Sequence, residues 1–398
     1  MASINREEIK AKVLQSLAST QFAASSLDAL SGGTGNFIYR ATLTQPLEDG
    51  TTEVLVKHSE DYVANVPSFK LPLYRCLVEK CSLAELAGYP AVGKADESDS
   101  YSFTVRTPKH FDVYVENNCQ VQEYLQNGVD LKTYALKTYT NSNSEATKQQ
   151  CLQLGKTLGR WLRGFHEWAG QRDELRRLVA DNDGMQQIKH MINFDTLLDR
   201  IKQFPSILSD AEDAFEKVRD MDNEEWDVED NLHVIHGDFW TGNILLPDAP
   251  IQGAVDVPMF VIDWEMAQLG KYWFDLGQMI AELYELKLYK DISGGLWIVQ
   301  GFVDGYGAVS EGFAFRTAIQ VGVHLIGFGT SVQGWGTPEQ VENVARTGKD
   351  IIVHALKKDR QWFEEGDLAS LFNTVSKGGL PEGVMTERLD EDETSDQK

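Results

Sequence analysis

Hydrophobic positions change their period along this chain. Near the start, Ile9, Val13 and Leu17 recur at spacing four, which predicts an amphipathic helix from about Arg6 to Leu17. Phe37, Tyr39, Ala41 and Leu43 then alternate, so a strand follows a glycine-rich turn. Asp49-Gly50 signals a hairpin, with Glu53 to Lys57 as its return strand. Leu73, Leu77, Cys81 and Ala84 share a face of a helix predicted from Leu73 to Ala87. Three more strands are expected at Ser102–Val105, Phe111–Glu116 and Gln120–Leu125. Beyond them the period becomes helical. Cys151, Leu154, Leu158, Trp161, Leu162 and Phe165 form one apolar stripe. A charged helical pattern covers Ala211–Met221, and another helix covers Phe274–Tyr289. Thr337-Pro-Glu-Gln340 has the form of an N-cap, a first-turn proline and a capping-box glutamine, and opens a helix expected to reach about Phe363. Between His233 and Asp263, short apolar runs are separated by Gly, Pro and Asp. The expected fold class is therefore α+β: a small β-rich unit, a join near Glu123–Gly128, and a larger helical unit.

Charge narrows the choice of partner. Over 398 residues the formal net charge is -24, and such a surface repels a polyphosphate backbone and an anionic membrane, so neither nucleic acid nor membrane is an expected partner. The longest apolar stretch, Ala318–Phe328, contains Gln320 and His324 and is too short to span a bilayer. Charges interrupt the N-terminal residues, so no secretory signal is read there. The four cysteines form no CxxC pair and suit a reducing compartment. A soluble, cytoplasmic protein is the expectation. The sequence does not fix its oligomeric state.

The segment His236-Gly-Asp-Phe-Trp-Thr-Gly-Asn243 carries the strongest chemical signal, followed by Val261-Ile-Asp-Trp-Glu265. Phosphoryl transfer needs an acceptor oxygen held in line, a group to take its proton, and cations to neutralise phosphate charge. Asp238 can take the proton. Asn243, five residues on, offers a neutral oxygen, and Asp263, 25 residues after Asp238, an anionic one. Such oxygens suit Mg²⁺. Strand alternation would point Glu265 the same way as Asp263, as a further metal ligand. His236 is expected to hold the loop by hydrogen bonds, and Asp275 to anchor its backbone from a buried position. Taken alone, Asp, Gly and Asn are also ordinary turn formers; the combined spacing favours the functional reading.

HGDFWTGNILL, VIDWEMAQLG and FDLGQ resemble the aminoglycoside phosphotransferase and choline kinase-like group, closely in the catalytic segment and more weakly across most of the chain. The resemblance implies a bilobal fold like that of protein kinases, with ATP and Mg²⁺ as cofactors. It implies Asp238 as base and Asn243 and Asp263 as metal ligands. It also implies a nucleotide-binding lobe over residues 1–123 and a catalytic and substrate lobe over 124–385. A helical insertion falls at about 170–232, and an acidic, disordered tail at 386–398. Under this reading Gly33 and Gly35 bring backbone amides to the phosphates, and Lys57 reaches them from the return strand. Glu79 is preferred over Glu85 as partner of Lys57, because it follows Arg75 in an RxxxE pattern. Glu123 falls in the stretch expected to read adenine through its backbone.

Two spacings favour a small hydroxylated acceptor over a protein. Asp263 and Asp275 are 12 residues apart, which leaves no room for a peptide-binding activation segment. About 70 residues separate His166 from His236, room for a substrate cap. Some features are similar to methylthioribose kinases, namely the stretch Val56–Val63 and the Asp-x-Glu at 263–265. The rival readings are a protein kinase and a non-catalytic kinase-like binding module. Trp240, Trp264, Trp273 and Trp335 are available for an aromatic cage around an ammonium group, though such residues more often pack a core.

Overall fold

The computed structural model describes residues 6–30, 32, 35–93, 98–114, 117–226, 232–253 and 255–373. The first unit begins with helix α1 (Arg6–Leu17) and strands β1 (Ala24–Ala29), β2 (Phe37–Leu43) and β3 (Glu53–His58). A two-stranded ribbon, β4 (Tyr62–Val63) and β5 (Val66–Lys70), leads into α2 (Tyr74–Leu86). Strands β6 (Ser102–Arg106), β7 (His110–Tyr114), β8 (Cys119–Glu123) and β9 (Gly128–Asp130) follow. An antiparallel sheet forms in the order β1-β2-β3-β8-β7. On β2, burial alternates strictly, as the sequence pattern requires of a strand with one covered face. Its inward residues Phe37, Tyr39 and Ala41 pack with Val54, Val56 and Val121, and with Val13 and Leu17 of α1.

Three readings change in the structure, and one strand is unexpected. β1 had no clear sequence signal, because only Leu27 of its six residues is buried. β6 joins no N-terminal strand. It pairs in parallel with a strand of the catalytic region, which covers its apolar Phe103 and Val105 from a distant part of the chain. α2 forms as expected but turns its Leu73–Leu77–Cys81–Ala84 face outward, with Leu73 and Leu77 each 40% exposed. The inward face instead carries Arg75 and Glu79, whose charges are matched inside the molecule. Finally, the helix that opens at Thr337 ends at Leu356, since Lys358 adopts a left-handed φ of 53°.

The helical part comprises α3 (Leu131–Thr138), α4 (Glu145–Ala169), α5 (Asp173–Ala180), α6 (Asp183–His190), α7 (Thr196–Gln203), α8 (Pro205–Leu208) and α9 (Glu212–Trp226). Short strands β10 (His233–Ile235), β11 (Ile244–Pro247), β12 (Asp256–Val261) and β13 (Gln268–Gly270) carry the chemical motifs. Then come α10 (Tyr272–Lys290), α11 (Ser293–Tyr306), α12 (Glu311–His324), α13 (Pro338–Leu356), α14 (Arg360–Glu364) and α15 (Ala369–Asn373). The second sheet has the order β6-β12-β11-β9, and β10 pairs with β13. The predicted stripe of α4 is buried against α11. The two helices pack so closely that a Cβ on Gly159 would stand 2.0 Å from the Phe302 carbonyl. The capping box at Thr337–Gln340 forms with both of its reciprocal hydrogen bonds. No helix among the described residues is long and apolar enough to cross a membrane. The acidic tail lies outside the described residues.

Candidate active site

The segment His236–Asn243 sits between two strand pairings. β10 delivers His236, and the pairing Ile244↔Val261 brings Asn243 beside the segment that ends at Asp263. Asn243 O accepts from Ile262 N at 3.0 Å. The loop backbone is tied down by Asp275, fully buried on α10. Its carboxylate accepts from the N–H groups of His236 (2.9 Å) and Gly237 (3.0 Å) and meets His166 Nε2 at 3.2 Å. Burial would raise the Asp275 carboxyl, but the hydrogen bond and charge of His166 hold it below its ordinary value. Gly237 has φ +78°, and a Cβ there would lie 2.1 Å from the Met266 carbonyl, so only glycine fits this turn. His236 Nδ1 accepts from the Asp238 N–H at 3.2 Å, and its Nε2 donates to Ile262 O at 3.0 Å. Burial pushes this imidazole down and keeps it neutral, as that bonding pattern requires. His236 and Asp275 thus occupy the bracing positions expected of them.

Asp238 is half-buried, with both carboxylate oxygens engaged. Gln278 Nε2 donates to Oδ1 at 2.7 Å and Asn243 Nδ2 to Oδ2 at 3.0 Å. The Asn243 amide also donates to the Asp238 carbonyl at 2.9 Å, which turns its Oδ1 the other way.

A second cluster assembles around Lys57. Its ammonium lies 2.7 Å from Glu79, 2.5 Å from Asp263 and 3.8 Å from Glu265. Burial pulls Lys57 down, but the charges of Asp263, Glu79 and Glu265 outweigh it and hold the ammonium well above its ordinary value. For Asp263, burial is likewise outweighed by the Lys57 charge, so its carboxyl sits low. Glu79 goes the other way, because burial dominates and raises it. The structure thus brings Glu79, and not Glu85, to Lys57.

Glu265 reaches the cluster by a different route from the one expected. Strand β12 stops at Val261. Asp263 takes a left-handed conformation (φ 68°), and Glu265 lies in the short 3₁₀ turn Trp264–Met266. Alternation along a strand therefore does not align the two. Glu265 Oε2 accepts from Asn36 Nδ2 (2.8 Å) and Arg75 Nε (3.2 Å), so its charge is largely matched by protein groups. Gly33 lies outside the described residues. Gly35 packs against Glu265, whose Oε1 would be 3.0 Å from a Cβ at that position. Glu123 closes β8, but its carboxylate is held by Arg106 through two 2.7 Å bonds and its N–H donates to Lys109 O. Neither group is directed at Lys57.

Sequence reading missed several residues. Arg75 and Asn36 knit the Lys57 cluster together. On α10, Asp275, Gln278, Glu282 and Glu285 follow each other at spacings of three and four, a polar stripe on an otherwise apolar helix. That spacing was a usable signal. At the far end of the stripe, Lys132 bridges Glu282 (2.8 Å) and Glu285 (3.4 Å), and His324 Nε2 meets Glu282 at 2.9 Å. Half-buried Trp240 and Trp335 flank the Lys132 ammonium at 5.8 and 4.6 Å from their ring centres. Trp264 and Trp273, by contrast, are buried in the core. Among the described residues, Glu285 Oε1 is buried without a hydrogen-bond partner.

Burial and the Glu282 charge push Glu285 up to about 8. Such a group binds its proton more tightly when folded. Its stabilising contribution is full below its unfolded value and is lost as pH rises through about 8. The melting temperature of the parent should therefore decline between about pH 4.5 and 8, and Glu285→Gln should flatten that decline, as thermal melts across that range would show.

Comparison with known proteins gives the chain a family. Residues 110–309 match the phosphotransferase enzyme family. The chain is 30% identical over 374 residues to Phosphotransferase FrzJ of Cladobotryum sp, covering 91% of this chain and 96% of the relative. It is 22% identical over 340 residues to the 4-hydroxytryptamine kinase of Psilocybe cubensis, covering 81% and 86%. Among solved structures, a choline kinase from Cryptosporidium parvum Iowa II superposes with a TM-score of 0.48 at 12% identity, covering 93% of this chain and all of that one. This chain belongs to the phosphotransferase enzyme family.

Proposed function

We propose that the protein moves the γ-phosphate of ATP to a hydroxyl group of a small, amine-bearing molecule. The observation that carries this reading is the convergence of two clusters across the β11–β12 pairing, Lys57–Glu79–Asp263 on one side and Asp238–Asn243 on the other. Asp238, held by two amide donors, accepts the hydroxyl proton. Lys57, fixed by Glu79, takes the phosphates. Asp263 and the outward-turned Oδ1 of Asn243 are hard oxygen donors that fit Mg²⁺, and Glu265 adds negative charge beside them. Mg²⁺ would supply charge neutralisation on the phosphates. Gly33, Gly35 and the backbone beside Glu123 are assigned to the nucleotide. The insertion at about 170–232 covers the acceptor.

The acceptor's amine is argued from the far end of the α10 stripe. There the protein already houses one ammonium, that of Lys132, between the Glu282 carboxylate, the Glu285 carboxyl group and two indoles. The unpartnered Glu285 Oε1 has capacity for another donor. One relative is named for an amine-bearing hydroxyl compound, 4-hydroxytryptamine.

The test is ATP consumption with Mg²⁺ against 4-hydroxytryptamine, choline, homoserine, methylthioribose, fructosamines and aminoglycosides. Turnover should be confined to amine-bearing acceptors. Glu282→Gln should raise their KM by about tenfold while leaving the KM for ATP in place. Preferential turnover of methylthioribose, which has no amine, would refute the acceptor assignment.

A further inference from the structure

The helical insertion sends one charged side chain into the catalytic region. Lys189, near the end of α6, is 7% exposed. Its ammonium donates to Gln278 Oε1 at 2.5 Å and, among the described residues, forms no ion pair. A buried lysine without a carboxylate against it is costly, and burial pulls this one below its ordinary value, opposed by the fields of Asp238 and Asp275. Beside it lies a small cavity lined by Asn193, Asp222 and Gln268 together with the apolar Phe194, Ile235 and Phe274. Among the described residues, Asn193 Nδ2 and Oδ1 and Asp222 Oδ1 are buried without partners. Some polar atoms are thus close by, yet stability alone does not explain the lysine.

Its position does. An amide can point either way, but a lysine has only donors and an ionised carboxylate only acceptors. With Lys189 against Oε1, Gln278 must present Nε2 to Asp238 Oδ1, at 2.7 Å. The second oxygen is held from the opposite partner, Asn243. We propose that Lys189 is a positioning residue for phosphoryl transfer, fixing the Gln278 amide so that Gln278 orients the Asp238 carboxylate toward the acceptor hydroxyl. This rests on the reading of Asp238 as base. It gives the insertion a part in the chemical step besides covering the acceptor.

A double-mutant cycle on kcat, with melting temperatures, tests this. Lys189→Met should lower kcat about 10- to 100-fold with the KM for ATP within about twofold of the parent. Its melting temperature should stay level or rise, because a buried, unpaired charge has gone. Gln278→Met should lose a similar amount, and the double variant should be no slower than the worse single by more than about twofold. Gln278→Glu offers a variant in which Lys189 gains a carboxylate. It should still lose kcat, because a carboxyl group 2.7 Å from Asp238 Oδ1 repels that carboxylate or shares its proton, and either way Asp238 no longer takes the acceptor's. The inference is overturned if Lys189→Met or Gln278→Glu keeps the parent kcat, or if the two losses multiply. It is also overturned if the Lys189→Met loss merely tracks a fall in melting temperature. A parent protein without turnover on any acceptor would overturn the kinase reading and this inference with it. Parent turnover with an unaffected Lys189→Met would overturn this inference alone.

Discussion

Asp238→Asn is expected to lower kcat by about 10²- to 10⁴-fold while leaving the affinity for Mg²⁺-ATP nearly unchanged, the range associated with loss of a general base. The argument starts from what Asp238 touches. Its side-chain hydrogen bonds go to Gln278 and Asn243, and none goes to Lys57. The substitution therefore leaves the Lys57 cluster intact. It is not silent locally. Both neighbours donate to Asp238, and an asparagine has one acceptor oxygen, so its amide must face one donor with another. One of the two neighbours must turn away, which adds misplacement to the lost basicity. Steady-state kinetics with titration of nucleotide would separate the effects. A loss confined to KM for ATP would place Asp238 among the nucleotide contacts instead.

The second large effect is expected at Asp263. Asp263→Asn should weaken Mg²⁺-dependent ATP binding by at least about 100-fold, more than removal of an outer-shell partner costs a metal site. Asparagine tolerates the left-handed backbone at φ 68°, so the test isolates the charge from the turn. Lys57 would keep Glu79 at 2.7 Å and Glu265 at 3.8 Å, so the buried ammonium is not orphaned and the fold should persist. Calorimetric titration of ATP with Mg²⁺ and with EDTA would show the expected pattern as a metal-dependent gain in the parent that is absent in the variant. Asp263 also carries a pH signature. Its carboxyl is held low in the folded state, chiefly through Lys57 acting against burial. Its contribution to stability is thus present above the unfolded value and lost as pH falls through the folded one. Asp263→Asn should shallow the acid side of the stability profile.

How much of this was legible in the sequence depends on whether the partners are near in sequence or far. The segment His236–Asn243 was legible because HGDFWTGN packs a carboxylate, a turn glycine and an amide into eight residues, and Asp263 follows an apolar run. The β2–β3 hairpin and the capping box at Thr337 are local devices, and both formed as their residues require. Glu79 could be preferred over Glu85 from its spacing to Arg75, though Arg75's own task, holding Glu265 and Asn36, emerges only when α2 meets the turn after β12. The outward face of α2 was misread for the same reason: hydrophobic periodicity finds a helix but cannot see that two buried charges will outrank two leucines. β6 reads as a strand, yet its partner β12 lies about 150 residues on. The cluster around Lys132 draws that residue from α3, Glu282 and Glu285 from α10, and His324 from the end of α12. No local pattern joins those three elements, although the polar stripe along α10 marked one of them.

The central claim is transfer of a phosphoryl group from ATP to a small molecule with Asp238 as base. Its most direct test follows the γ-phosphate itself: incubation of the parent and Asp238→Asn with γ-labelled ATP, Mg²⁺ and an amine-bearing alcohol such as 4-hydroxytryptamine, with label recovered in the organic product. Labelled phosphoester from the parent and a rate lower by about 10²-fold or more from the variant is the predicted result. Equal label transfer by both would contradict the account.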